Sequence, residues 1–125
     1  MNHFDLVKKE LANFLKINSV YNPTLLSTPK GDIFPKVVIQ DISNTEVGSD
    51  FQRFNTFSSI TYEVDIYAKA TKGVSERTIA KEIESHIINF FGREMGFKRT
   101  FAKPTPNIDT TVYRITMRFQ TTIND

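Results

Sequence analysis

Few side chains in this sequence stand at spacings that support chemistry. His3 and His86 fall in separate predicted helices, and neither belongs to a His-Glu-x-x-His pattern of the kind that holds a metal. Glu84 and His86 are two apart, which turns them to different sides of a helix. Gly92 and Gly96 bracket Arg93-Glu94-Met95, but no Gly-Lys-Ser or Gly-x-Gly-x-x-Gly run follows a strand, so a helix end and a turn account for them. Ser58-Ser59 lacks the elbow motif of a serine nucleophile. With no cysteine, the chain has no thiolate nucleophile, no disulfide framework and no cysteine-based metal site. The expectation is a protein that is not an enzyme and needs no cofactor and no metal.

One run does mix useful types. Lys98, Arg99, Phe101 and Lys103 interleave basic and aromatic side chains in the manner of a stacking groove for single-stranded nucleic acid. Lysines on an edge strand also repel unwanted pairing, so the run has a purely structural reading as well. The formal charge of +2 over 125 residues is spread in mixed-sign clusters and forms no concentrated basic stripe. No apolar run approaches the roughly 20 residues of a membrane span, and Met1-Asn2-His3-Phe4-Asp5 is not the start of a secretory signal. A chain made and kept in the cytoplasm is expected, with no membrane partner.

The elements that must position these residues follow from periodicity. Phe4, Val7, Leu11, Phe14 and Leu15 recur at helical spacing, with Lys8, Lys9, Glu10 and Asn13 opposite, which predicts a helix from an Asn2 cap to about Lys16. Asn22-Pro23, Pro29 and Lys30-Gly31 then predict a long loop to Asp32, held down by Val20, Tyr21, Leu25 and Leu26. Val37 to Ile42 is a β-branched strand that Pro35 precedes. From Ile60 to Ala68 the residues alternate strictly, as they do again from Thr111 to Ile123. A second helix, Glu76 to about Phe91, has Ser75 as its cap, Val74 and Ile79 as a hydrophobic staple, and Gly92 where a left-handed terminal residue belongs. Pro104, Pro106 and Asn107 set the turn of a hairpin between a short strand near Lys98 to Lys103 and the last strand.

The predicted fold is α+β over one domain, residues 1–125: a mostly antiparallel four-stranded sheet with two helices on one face, in the order α-β-β-α-β-β. Ile60, Tyr62, Val64, Ile66, Tyr113, Ile115, Met117 and Phe119 would meet the helices. The other face would show Glu63, Asp65, Tyr67, Arg114, Thr116 and Arg118. Two readings of that face are open. It is a solvated surface with cross-strand ion pairs such as Glu63 with Arg114 or Asp65 with Arg118, or it is an interaction surface shared with the loop bearing Asp50, Phe51, Arg53, Phe54 and Phe57. Long loops within a compact domain are usually functional or disordered, and three phenylalanines argue against disorder.

The segment Met95-Gly96-Phe97-Lys98-Arg99-Thr100-Phe101, then Pro104-Thr105-Pro106-Asn107-Ile108-Asp109 and Thr111-Val112-Tyr113-Arg114-Ile115, resembles the tail terminator, or tail completion, proteins of long-tailed phages of Gram-positive hosts. The strand Glu63-Val64-Asp65-Ile66-Tyr67 and the preceding Phe54-Asn55-Thr56 are also similar, so the likeness spans residues 34–123. The resemblance implies a homohexameric ring that caps the tail tube, ends its polymerisation and offers a joining surface to the head–tail connector protein. It implies three protein partners: the chain itself, the tail tube protein and the connector. DNA would enter only as cargo passing through the ring, and the place of work would be the virion tail, with assembly in the host cytoplasm. Asp50, Phe51, Arg53, Phe54, Phe57, Glu63, Asp65, Tyr67, Arg114 and Arg118 are the candidate subunit or tube contacts. Other phage neck, head-completion or minor structural proteins form the nearest alternative, and a single-stranded nucleic-acid binding module the rival from another class.

Overall fold

A computed structural model describes residues 3–43 and 57–124. Helix α1, His3–Asn18, forms because Val7, Leu11 and Leu15 recur every four residues and all three are buried. It closes where the Asn18 side-chain amide donates to the Phe14 carbonyl at 2.9 Å. The helix runs two residues past the predicted end, and the proposed Asn2 cap lies outside the described residues.

The predicted loop after α1 holds a strand. Thr24–Leu26 (β1) pairs in parallel with Lys36–Asp41 (β2), Thr24 opposite Lys36 and Leu26 opposite Val38. The sheet therefore has five strands where a mostly antiparallel four-stranded one was expected, and this added parallel pair makes it mixed, although the α+β class and the two helices are as expected. Three residues are too few to show a period of two, and the Pro29, Gly31 and Pro35 between the strands mask the return of the chain. Of the four residues expected to anchor this segment, Tyr21 and Leu25 pack on the core and Leu26 on the opposite face of the sheet, but Val20 is 78% exposed.

The two long strands, Phe57–Lys69 (β3) and Val112–Asn124 (β5), pair antiparallel along their whole length, and Lys98–Thr105 (β4) forms the far edge beside β5. The strand order is β1-β2-β3-β5-β4. Their alternation is the one the sequence predicts. Tyr62, Val64, Ile66 and Ala68 of β3 and Ile115, Met117 and Phe119 of β5 are buried against α1 and the second helix, Glu76–Asn89 (α2). From α2 this core receives Ile79, Ala80, Ile83 and Ile87, each isoleucine contributing about 1.5 to 3 kcal/mol by leaving water.

Ser75 caps α2 as predicted, its hydroxyl accepting from the Thr78 amide at 3.2 Å. The C-terminal end differs from expectation. After Asn89 the helix widens into a π-helical turn, Phe90–Glu94, closed by the Met95 amide on the Phe90 carbonyl at 3.0 Å. The left-handed residue is Gly96, φ 73°, and not Gly92, which lies within the turn. The wider turn directs two consecutive aromatic rings inward, Phe90 against Phe14 with centroids 5.5 Å apart and Phe91 stacked on Phe119 at 4.3 Å. Phe97, returned to the core just after Gly96, meets Phe91 at 5.2 Å and Tyr62 at 5.6 Å.

Candidate interaction face of the sheet

The helices cover one side of the sheet only, and the strand registers set out what lies on the other. Three rows cross it. Lys36 of β2 stands opposite Tyr67 of β3, which stands opposite Arg114 of β5 and then Thr105 of β4. The next row is Val38, Asp65, Thr116 and Lys103, and the third is Gln40, Glu63, Arg118 and Phe101. Glu63, Asp65, Tyr67, Arg114 and Arg118, five of the candidate contact residues, are thus brought to one surface. Asp50, Phe51, Arg53 and Phe54 lie outside the described residues, and Phe57 is the first residue of β3, opposite Asn124.

This surface is half closed by the chain itself. Val38, Tyr67 and Val112 form a small buried cluster beneath Leu26 and Phe34, and Asp65 and Thr116 beside it are also buried. The expected wholly exposed face is therefore corrected at the end near β1, because the segment leading into β2 folds over it. At the other end Arg118 and Lys103 remain exposed and Phe101 half-buried.

The ion pairs form with partners exchanged relative to expectation. Arg114 Nε donates to Asp65 Oδ1 at 3.0 Å, and Arg118 Nε donates to Glu63 Oε2 at 2.9 Å. Register explains the exchange, since Glu63 lies directly opposite Arg118 and four residues from the position that faces Arg114. Asp65 also accepts from the Thr116 hydroxyl, which in turn accepts from Thr105 Oγ1 at 2.6 Å, so the buried carboxylate is met by two donors. Among the described residues no buried side-chain polar atom lacks a partner. The hydrogen bond to Asp65 raises the Arg114 guanidinium above its ordinary range, and burial, helped by the Asp65 charge, raises the Tyr67 phenol.

Cations also lie against three rings of this face, Phe34, Tyr67 and Phe101. Lys36 Nζ and Lys69 Nζ each sit 4.7 Å from the Phe34 centroid, Lys36 and Arg114 each 5.3 Å from Tyr67, and Lys103 and Arg118 at 5.4 and 5.3 Å from Phe101. Phe34 and Lys36 were not among the sequence candidates. Their signal was a Phe-Pro-Lys run placed immediately before a β-branched strand.

Elsewhere Glu82, His86 and His3 have structural employment. Glu82 accepts from Ser19 Oγ at 2.8 Å and from the Val20 amide at 3.1 Å while meeting His86 Nε2 at 3.0 Å, which ties the end of α1 to α2. This four-residue Glu82–His86 spacing escaped the sequence reading, which paired His86 only with Glu84. His3 Nδ1 lies 2.6 Å from the Tyr62 hydroxyl. A cleft of about 420 Å³ between Phe4, Ser27, Ile39, Gln40, Asp41 and Ile42 offers Asp41 alone as a titratable group. Among the described residues no group of three or more His, Cys, Asp or Glu could hold a metal, and no helix is long and apolar enough to cross a membrane. No protein-family model matches the chain, and no curated protein matches it.

Proposed function

We propose that this chain is a virion structural protein of a long-tailed phage or related tail-like particle, which caps the tail tube as a hexameric ring. The observation that carries the reading is the likeness of the Met95-to-Ile115 hairpin sequence to tail terminator proteins. A sheet shielded by helices on one side supports it physically. A closed ring needs two different patches on each subunit, one donating and one receiving around the rotation axis. The open end of the outer face, with Glu63, Phe101 and Arg118, is one candidate, and the segment bearing Asp50, Phe51, Arg53, Phe54 and Phe57 is the other. Termination then needs only that one side of the ring fit the tube and the other refuse a further tube subunit. Neither catalysis nor a cofactor enters this role.

Electron microscopy of the purified full chain, alone and mixed with tail tube subunits, tests the proposal. Sixfold rings seated at one end of finite tubes are the expected result. Rings that join DNA-filled heads and ignore tubes would move the chain to a neck role. A chain that stays monomeric in both mixtures would overturn the ring reading.

A further inference from the structure

Two patches of opposite sign lie on different layers of the chain. The first is a groove of about 330 Å³ between α1 and the π-helical turn. Buried Phe90 and half-buried Phe14 and Met95 make its apolar floor, Ile17 stands beside them 81% exposed, and Glu10 and Glu94 are its charged lining residues. Both carboxylates are exposed, and among the described residues no cation lies within ion-pair distance of either. The second patch is on β4. Register places Lys98 opposite Gln120, Phe101 opposite Arg118 and Lys103 opposite Thr116, which are alternate residues of β5 and so share the outer face. The register shift between Arg99 and Phe101 brings Lys98 and Phe101, three apart in sequence, to that one face. Lys98 and Lys103 are exposed, half-buried Phe101 lies between them, and among the described residues neither lysine has a carboxylate within ion-pair distance.

We propose that the groove receives the β4 edge of a second copy of this chain, Phe101 against the apolar floor and Lys98 and Lys103 on Glu10 and Glu94. The two patches carry one pattern in opposite signs, an apolar centre flanked by unanswered charges, which is the anatomy of a specific contact. They cannot meet within one copy, because the groove belongs to the helical layer and Phe101 to the far side of the sheet. Each copy therefore has one patch to give and a different one to receive, as a closed ring requires. The proposal rests on the ring reading and gives the open end of the outer face a receiving surface among the described residues.

The test is sedimentation velocity of the full chain and of two charge-reversed variants, E10K/E94K in the groove and K98E/K103E on the strand. Each variant alone should run as a monomer. An equimolar mixture should regain the wild-type particle, because every contact is then either native on both sides or reversed on both, and two kinds of copy alternate evenly around a ring of six. One chain carrying all four changes should regain it too. If E10K/E94K fails to melt cooperatively, E94K with K103E as its counterpart asks the same question. Assembly kept by both variants would overturn this contact and leave the ring to other patches. Loss in both without rescue in the mixture would also overturn it, since a general effect of charge would then account for the loss. A groove variant that keeps its rings but no longer seats on tail tubes in electron micrographs would assign the groove to the tube protein instead. A two-copy wild-type particle with the same rescue would keep the contact and overturn the ring, and a wild-type chain monomeric throughout would overturn both.

Discussion

Arg114 reaches past its cross-strand neighbour Tyr67 to Asp65, two residues along β3, and donates to Oδ1 at 3.0 Å. The diagonal reach lays the guanidinium against the Tyr67 ring on its way to the carboxylate. One arginine thus links the small apolar cluster under Phe34 to the polar centre of the outer face, and Asp65 can be buried without being left uncompensated.

The two ion pairs of this face should differ sharply in worth. The Asp65 side chain is 6% exposed and holds both Arg114 and Thr116, whereas Glu63 and Arg118 are 17% and 47% exposed. Asp65→Ala should lower stability by about 2 to 3 kcal/mol, since two donors lose their buried acceptor while Arg114 can still reach water. Glu63→Ala should cost less than about 1 kcal/mol. Urea midpoints at an unchanged m value measure both, and equal losses would show that Asp65 is not the keystone of the face.

Tyr62 gives the fold an alkaline limit. Burial, and behind it the Asp41 charge, pushes its phenol up to about 12 from an ordinary 10.0. Between these values the unfolded chain releases the proton and the folded chain does not, so this contribution is full below pH 10 and is lost as pH rises towards 12. Tyr62→Phe should be less stable at neutral pH by about 1 kcal/mol, through loss of the His3 hydrogen bond, and should decline less steeply in alkali. Tyr67, whose phenol is raised in the same direction, adds to the slope that remains. Parallel stability curves for the two proteins from pH 9 to 12 would show that Tyr62 does not carry the effect.

How much of this was legible beforehand depended on length and period. The thirteen-residue strands β3 and β5 announce both of their faces by alternation, and α2 announces its cap and its buried stripe. β1 escaped because three residues carry no period, and with it went the cover that closes one end of the outer face. The partner exchange between Glu63, Asp65 and the two arginines followed from register, which the proline-set loop of the hairpin did not fix. Phe90 and Phe91 are consecutive and yet both buried, because the helix widens there. Lys36 was hidden because lysine is rarely buried, and its seat between Phe34 and Tyr67 is visible only once β2 lies beside β3.

Assembly can be separated from folding at the phenylalanine-bearing segment. Under the ring proposal, Phe51→Ser with Phe54→Ser should abolish rings in electron micrographs and leave the melting transition cooperative and little shifted. Loss of cooperative melting would instead assign both rings to the core of the monomer.

Gly92 and Gly96 make a final, internally controlled pair. A Cβ built on either glycine meets no atom within 4 Å, so space does not distinguish them and backbone conformation alone decides. Gly96 holds φ 73° at the point where the chain leaves the π-helical turn and sends Phe97 back onto Phe91. Alanine there should cost about 1 to 2 kcal/mol, the left-handed conformation being strained for an L side chain. Gly92 has no such φ and lies within the helical turn, where alanine should stabilise by about 0.4 to 1 kcal/mol by restricting the unfolded chain. Thermal melts of the two single variants should therefore shift in opposite directions. Upward shifts at both sites would mean that Gly96, like Gly92, can be replaced without leaving its conformation, and the termination of α2 would then need another cause.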